Sequence, residues 1–428
     1  MSIVNYTTNA EQTNLGDVEL TVQDTMFCGV LSDKADKPDF KYVFDVYANN
    51  NQLTRVKLYP DPETSWGYLD AGPSVRNEMD YGWVIGCLND NNFKQPFLAE
   101  PTQTNQIAIN YDIRFGEEYI SGGTYVSGSY VSGGTLVTLL NQASGTQKAY
   151  NYAAPLFNRK TYGISQFNKK FLTNRPKKTN CKIDGDLIIP LKLNANSNVE
   201  VGFKIIQYTA SNTVYSTFNY SDNILTTQVN EFYQFNISPA SLNICLAAAG
   251  KTQIISNTAY YDVTIVNSST GAILSDTFRV YIDCNPKYDS IDLFFMNQWG
   301  MVDTARFDLA SKLNMDIERK SFNRKDYAFD SNVVNYNARF ETKINYGSKL
   351  NWTYKLTMNY PTDEEYVWLA ELISSPLIYA NFPEINDGLI MPVTIKNTNY
   401  EYSKNQNNGL KVLEIEVELN QTRYGFLR

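Results

Sequence analysis

"DFKYVFDVYANNNQLTRVKLYPDP" runs from Asp39 to Pro62. Tyr42, Phe44 and Val46 alternate with Val43, Asp45 and Tyr47. Asn49-Asn50-Asn51 supplies a turn, and Leu53, Arg55, Lys57 and Tyr59 lead back. A period of two on both sides of a turn cluster is the signature of a β-hairpin. This stretch sets the reading of the fold, because the same pattern recurs along most of the chain.

Before the hairpin, "VELTVQDTMFCGVL" fits one or two short strands. After it, "TSWGYLDAGPSVRNEM" carries Gly and Pro punctuation and a possible helical turn. Ile107–Phe115 reads as a strand. A small repeat follows, in which Tyr119, Tyr125 and Tyr130 each open a Tyr-Val/Ile-Ser-Gly unit. Two readings stand for it: a hairpin arm or loop bending at glycine, or an arm whose tyrosines contact a neighbour, Tyr offering large area at low rotamer cost. Arg159 to Lys182 holds Arg159, Lys160, Lys169, Lys170, Arg175, Lys177, Lys178 and Lys182 without an acidic residue. This basic island reads either as a solvated connector or as a contact for an acidic partner or passing nucleic acid.

Residues 183–285 offer six or seven short strands separated by turns such as Asn267-Ser268-Ser269-Thr270-Gly271, spacing that fits an immunoglobulin-like sandwich. "PASLNICLAAAG" is either a short helix or a crossing loop. "IDLFFMNQWGMVDTARFDL", Ile291 to Leu309, is strand, turn, strand. Trp299 at its turn either folds back into a core or docks into a partner, with Asn297, Gln298 and Met301 beside it. Alternating segments follow, "ARFDLASKLNMDIERKSF" among them. Thr362 and Glu365 then make a capping box, predicting a helix over about 362–375 with Tyr366, Leu369, Ala370 and Ile373 on its apolar face and Pro376 at its end. In the last strand Val412, Ile415, Val417 and Leu419 oppose Lys411, Glu414, Glu416 and Glu418. The expected fold is mainly β, with three domains: 1–165, a β domain with the Tyr/Ser/Gly-rich arm; 166–285, the immunoglobulin-like sandwich; and 286–428, a β domain with one helix.

Composition agrees. The 428 residues include 31 Tyr and 22 Phe, and 43% are hydrophobic, ample for several cores and against wholesale disorder. There is no histidine, which removes Ser-His-Asp and Cys-His catalysis and His-ligated zinc. The five cysteines, Cys28, Cys87, Cys181, Cys245 and Cys284, are scattered. They read as free, mostly buried thiols of a reducing compartment, Cys245–Cys284 being the one conceivable disulfide. The start, "MSIVNYTTNAEQTN", has neither basic nor apolar leader, so no signal peptide is expected, and no run is apolar enough for a transmembrane helix. Net charge is −8, which opposes general nucleic-acid binding.

Paired carboxylates stand at Asp184-Gly185-Asp186, Glu117-Glu118 and Asp363-Glu364-Glu365. Glycosidases need two carboxylates at defined separation, but these fit a turn, a strand end and a helix N-terminus. Asn89-Asp90-Asn91-Asn92 lacks the spacing of a calcium loop. No phosphate-binding glycine loop or nucleophile elbow occurs. The sequence reads as a non-enzyme without cofactor or metal.

The order of "FKYVFDVYANNNQLTRVKLYP", "FGEEY", "FLTNRP", "IDLFFMNQWGMVDTARFDL" and a strand–helix–strand end resembles virion structural proteins of tailed phages infecting Bacteroidetes, including the crAss-like group. The C-terminal pattern, Tyr346–Asn420, is similar to the tail-tube-like fold of phage tube, distal-tail and hub proteins. The resemblance implies a tail hub, baseplate or collar component made in the bacterial cytoplasm and located in the virion. It implies ring homo-oligomers and contacts with other tail proteins around a DNA conduit, without sequence-specific DNA binding. The interface candidates are Asn297, Gln298, Trp299, Met301, Tyr119, Tyr125, Tyr130, Lys169, Lys170, Arg175, Lys177 and Lys178. An alternative is a head or tail fibre, or an adhesin, whose aromatic and Asn-rich loops bind host-surface glycan.

Overall fold

The structure is a computed structural model of the chain. It describes residues 3–8, 18–20, 27–48, 51–78, 97–98, 108–121, 124–127, 131–132, 135–136, 142–143, 147–150, 170–192, 200–219, 225–226, 232–255, 257–283, 288–325, 327–336, 342–358, 361–382, 390–396, 412–420 and 423–424. The chain is mainly β, as the periodicity predicts. It divides into two compact units: Met1–Cys284 with Met296–Asp303, and Asn285–Phe295 with Thr304–Arg428. Residues 1–165 and 166–283 thus share one unit.

In the first unit β1 (Ile3–Thr8), β2 (Phe27–Ser32) and β5 (Trp66–Asp70) form a three-stranded sheet. The hairpin of β3 (Lys41–Ala48) and β4 (Asn51–Leu58) pairs Tyr42 with Leu58 and Ala48 with Asn51. It extends onto β6 (Ala108–Ser121), which also pairs with β7 (Thr124–Ser127). Tyr42, Phe44 and Val46 are buried with Cys28, Val30, Ile113 and Phe115. The helical turn expected after the hairpin is α1 (Gly72–Asn77).

The sandwich of the same unit has two sheets. One runs β8 (Lys178–Lys182), β14 (Ile273–Asp283), β13 (Tyr260–Asn267), β10 (Glu200–Tyr208) and β11 (Val214–Asn219). The other runs β9 (Ile188–Lys192), β12 (Phe232–Asn236) and Phe97–Leu98. Ile189 and Leu191, Phe203 and Ile205, Phe235, Val263 and Phe278 interdigitate between them. Phe203 and Phe235 meet edge to face at 5.9 Å. β8 is parallel to β14, and the other pairings are antiparallel. The hydroxyl of fully buried Tyr261, at the start of β13, donates to the Ile237 carbonyl at 2.6 Å. That bond ties β13 to the chain just before α2, 24 residues upstream. The "PASLNICLAAAG" segment is a helix, α2 (Pro239–Ala248), capped by Ser238. Cys245 on it is a free, buried thiol, so the Cys245–Cys284 pairing is not made; burial pushes this thiol up to about 11.

The second unit is built on one sheet, ordered β16 (Val302–Phe307), β15 (Ile291–Met296), β21 (Ile378–Asn381), β22 (Ile390–Ile395), β23 (Leu413–Leu419), β20 (Lys343–Met358) and β17 (Lys312–Asn323). Val302 and Asp303 of β16 and Met296 of β15 belong to the first unit. The predicted helix is α3 (Asp363–Ser374), with both halves of the Thr362–Glu365 capping box formed. It buries Trp368, Leu369 and Leu372, with Tyr366 and Ile373 at the margin. The buried face is therefore turned from the predicted one, because Trp368 lies 5.7 Å from Phe295, ring to ring, on the sheet. In β23 Leu413 takes the inward place expected of Val412, which is exposed.

Candidate assembly surface

Two strands of the second unit reach well past its core. β17 is twelve residues, every one exposed, and β20 is sixteen. At about 3.4 Å per residue, β17 is an arm about 40 Å long. The pairing runs from Lys312↔Lys355 to Asn323↔Lys343, with an irregularity at Lys320/Ser321. A two-stranded tip, β18 (Tyr327–Asp330) with β19 (Val333–Tyr336), lies between them in sequence.

Alternation makes the arm two-faced. Cross-strand pairs Leu313↔Tyr354, Met315↔Trp352 and Ile317↔Leu350 share one face. Lys312, Asn314, Asp316 and Glu318 take the other. At the β20 end, Tyr354 and Leu356 are in the core. On β17, Leu313, Met315 and Ile317 remain 42%, 45% and 40% exposed. β17 also ends the sheet, and among the described residues no strand pairs with its outer edge. Unpaired N–H and C=O groups beside an apolar stripe form a template for another strand. The alternation in "SKLNMDIERKSF" was visible in the sequence, but the missing neighbour was not.

The residues singled out from sequence are dispersed. Asn297, Trp299 and Met301 are buried, Trp299 at 7% exposure. The expectation of a docking tip is corrected: the turn points inward. Asn297 Oδ1 accepts from Trp299 N and Met301 N, its Nδ2 donates to Leu172 O at 2.9 Å, and Gly300 takes φ 71° to close the turn. Gln298 lies in this same turn, half-buried. Tyr119 is buried near Phe40, with Lys34 over its ring. As a surface anchor it is corrected too. Tyr125 stands in β7 opposite Ile120.

The basic island is not one patch. Arg175 is 8% exposed, so it is no open contact for DNA or an acidic partner. Lys177 pairs with Asp276 at 2.6 Å, and Lys178 is exposed at the start of β8. Lys170 is exposed. Tyr130, Lys169, Arg159, Lys160 and Asn89–Asn92 lie outside the described residues.

The carboxylate pairs have local partners. Ser32 Oγ donates to Glu117 at 2.8 Å, Lys57 meets Glu118 at 2.5 Å, and Asn236 donates to Asp186. Asp363, Glu364 and Glu365 form the first turn of α3. On the outer face of the sandwich, Arg279 is held by both oxygens of Asp262 and lies over the Tyr208 and Tyr260 rings. The hydrogen-bonded carboxylate raises the guanidinium pKa further. Tyr260 stacks on Tyr208 and tilts against the more exposed Tyr281. No helix among the described residues is long and apolar enough to cross a membrane.

No family model matches the sequence, and no curated protein matches it. Among solved structures, the N-terminal four Ig domains of Dscam1 isoform 1.9 are similar over 79% of this chain and 67% of that chain, with 9% identity and a TM-score of 0.13. That superposition is too loose to assign a shared fold.

Proposed function

We propose that the chain is a structural component of a phage tail, a hub, baseplate or collar protein that oligomerises and contacts other tail proteins around the DNA conduit. One observation carries the reading: the β17–β20 arm, a long strand edge with an apolar stripe, projecting from a sheet that carries a single helix. A protein that works alone gains nothing from such an edge and is exposed to aggregation by it, whereas an assembly subunit uses it. The resemblance of Tyr346–Asn420 to tail-tube-like modules points the same way. Light scattering and negative-stain images of the purified protein test this. Rings, or monomers closing into rings as concentration rises, are expected; a chain that stays single and bare of tail partners at high concentration overturns it. The Tyr208–Tyr260 stack with Tyr281 tilted beside it favours a second reading, a glycan-binding fibre or adhesin. Glycan-array binding that is lost in Tyr281→Ala would carry it.

A further inference from the structure

The exposed edge strand is nearly a palindrome. From Lys312 to Glu318 it reads Lys-Leu-Asn-Met-Asp-Ile-Glu. Reversed about Met315, a basic residue meets an acidic one, Leu meets Ile, Asn meets Asp, and Met meets itself. We propose that β17 pairs antiparallel with β17 of a second copy of this chain, about a two-fold axis that passes between the two opposed Met315 residues and is perpendicular to the sheet.

The symmetry fixes which registers are allowed. A two-fold perpendicular to the sheet keeps each face on its own side, so odd-numbered residues must oppose odd and even must oppose even. Several registers satisfy that condition. Sliding the copies by one step centres the pairing on Asp316, which sets Asp316 against itself and Lys312 against Lys320. Centring on Ile317 opposes Asp316 to Glu318. Centring on Glu318 or Arg319 places like charges on the axis. The Met315 centre is free of these conflicts. It sets Lys312 against Glu318 of the second copy twice, Leu313 against Ile317 twice, and Asn314 against Asp316 twice.

Two further features fit this occupant. Leu313, Met315 and Ile317 are three of the four exposed apolar residues of the edge, Phe322 being the fourth beyond the paired segment, and all three lie on one face within it. Lys312 and Glu318 bracket it at the two ends of the other face, where cross-strand charge pairs are most selective. The contact also closes on itself. Both edges are consumed, so the pairing makes a dimer rather than a fibre. A ring of more copies then needs a second contact elsewhere on the chain. The inference does not rest on the phage-tail reading.

The test uses the full chain. Met315→Cys under mild oxidation is expected to give a dimer linked from residue 315 to residue 315, identified by peptide mapping. Opposed Cα atoms in a β pair are about 4.5–5.5 Å apart, within disulfide range. Ile317→Cys alone is expected not to link, its two copies being about 13 Å apart along the strands. Mixed Leu313→Cys and Ile317→Cys chains are expected to link to each other. Without oxidation, Lys312→Glu or Glu318→Lys should each weaken dimerisation about tenfold, and the double exchange should restore it. A monomer under all conditions, as expected if the edge takes a strand from a different protein, overturns the proposal. So does a dimer without the 315–315 link, or one indifferent to charge reversal. Ring images without that link would leave the tail reading standing and end this one.

Discussion

Asn297 holds the 296–303 turn from inside, with one side-chain oxygen on two backbone N–H groups and its amide on Leu172 O. Trp299 is fixed by that turn as a core residue. Trp299→Ala is expected to lower the stability of the isolated chain by about 3–5 kcal/mol, as large core truncations do. Urea denaturation at a concentration where the protein is monomeric checks it. Unchanged stability would return Trp299 to the surface role. The sequence could not decide this, because an inward turn and an exposed one use the same Asn and Gly chemistry. A second residue shows how tightly the first hairpin is seated. A Cβ on Gly67 would run into the Tyr42 ring. That ring cannot swing away, since its hydroxyl donates to Ser65 O at 2.7 Å and accepts from Ser32 N at 3.0 Å. Gly67→Ala is therefore expected to cost about 1–3 kcal/mol by overpacking, read as a lower thermal midpoint. Gly67→Ala melting like the parent protein would contradict this seating.

Elements were legible where local chemistry decides them. The β3–β4 hairpin and the cap of α3 follow from alternation and from Thr362 and Glu365, and both form. Thr362→Ala is expected to cost about 1 kcal/mol, with Thr362→Ser close to neutral, in paired denaturation curves. Equal loss in both would show that the hydroxyl does not cap. Phase was less legible. Lys411-Val412-Leu413 offers two adjacent apolar residues, and only pairing with β20 (Met358↔Leu413) selects the second. The basic island misled for a related reason. Charge counting sees Lys177, Lys178 and Lys182 as a run, but Lys177 is paired with Asp276 and, of the two lysines that alternation puts on one face of β8, Lys182 is buried and Lys178 exposed. The arm was half legible: alternation in 312–318 marks a two-faced strand, but an unpaired edge is a property of the sheet order, which no local pattern states.

At the scale of the molecule, the division into two units does not follow the chain. The first unit ends at Cys284, the next eleven residues belong to the second, and Met296–Asp303 returns to the first. Within the first unit that returning piece supplies buried Trp299 and Met301, the Asn297–Leu172 bond, and Asp303, which accepts from Thr173 Oγ1 at 2.6 Å. A chain ending at residue 284 is thus expected to melt about 5–10 °C below one ending at residue 303. Equal midpoints, by calorimetry, would mean that the first unit does without its distant piece. The same interruption sets a schedule on the ribosome. A domain encoded without a break can fold as soon as its last residue clears the exit tunnel. Here the first unit must wait while residues 285–303 are added, on the order of 1–4 s at roughly 5–20 residues per second. During that delay the nascent chain presents an unfinished core around Leu172, so this is the interval in which a chaperone or a slowed codon stretch would have most influence on yield.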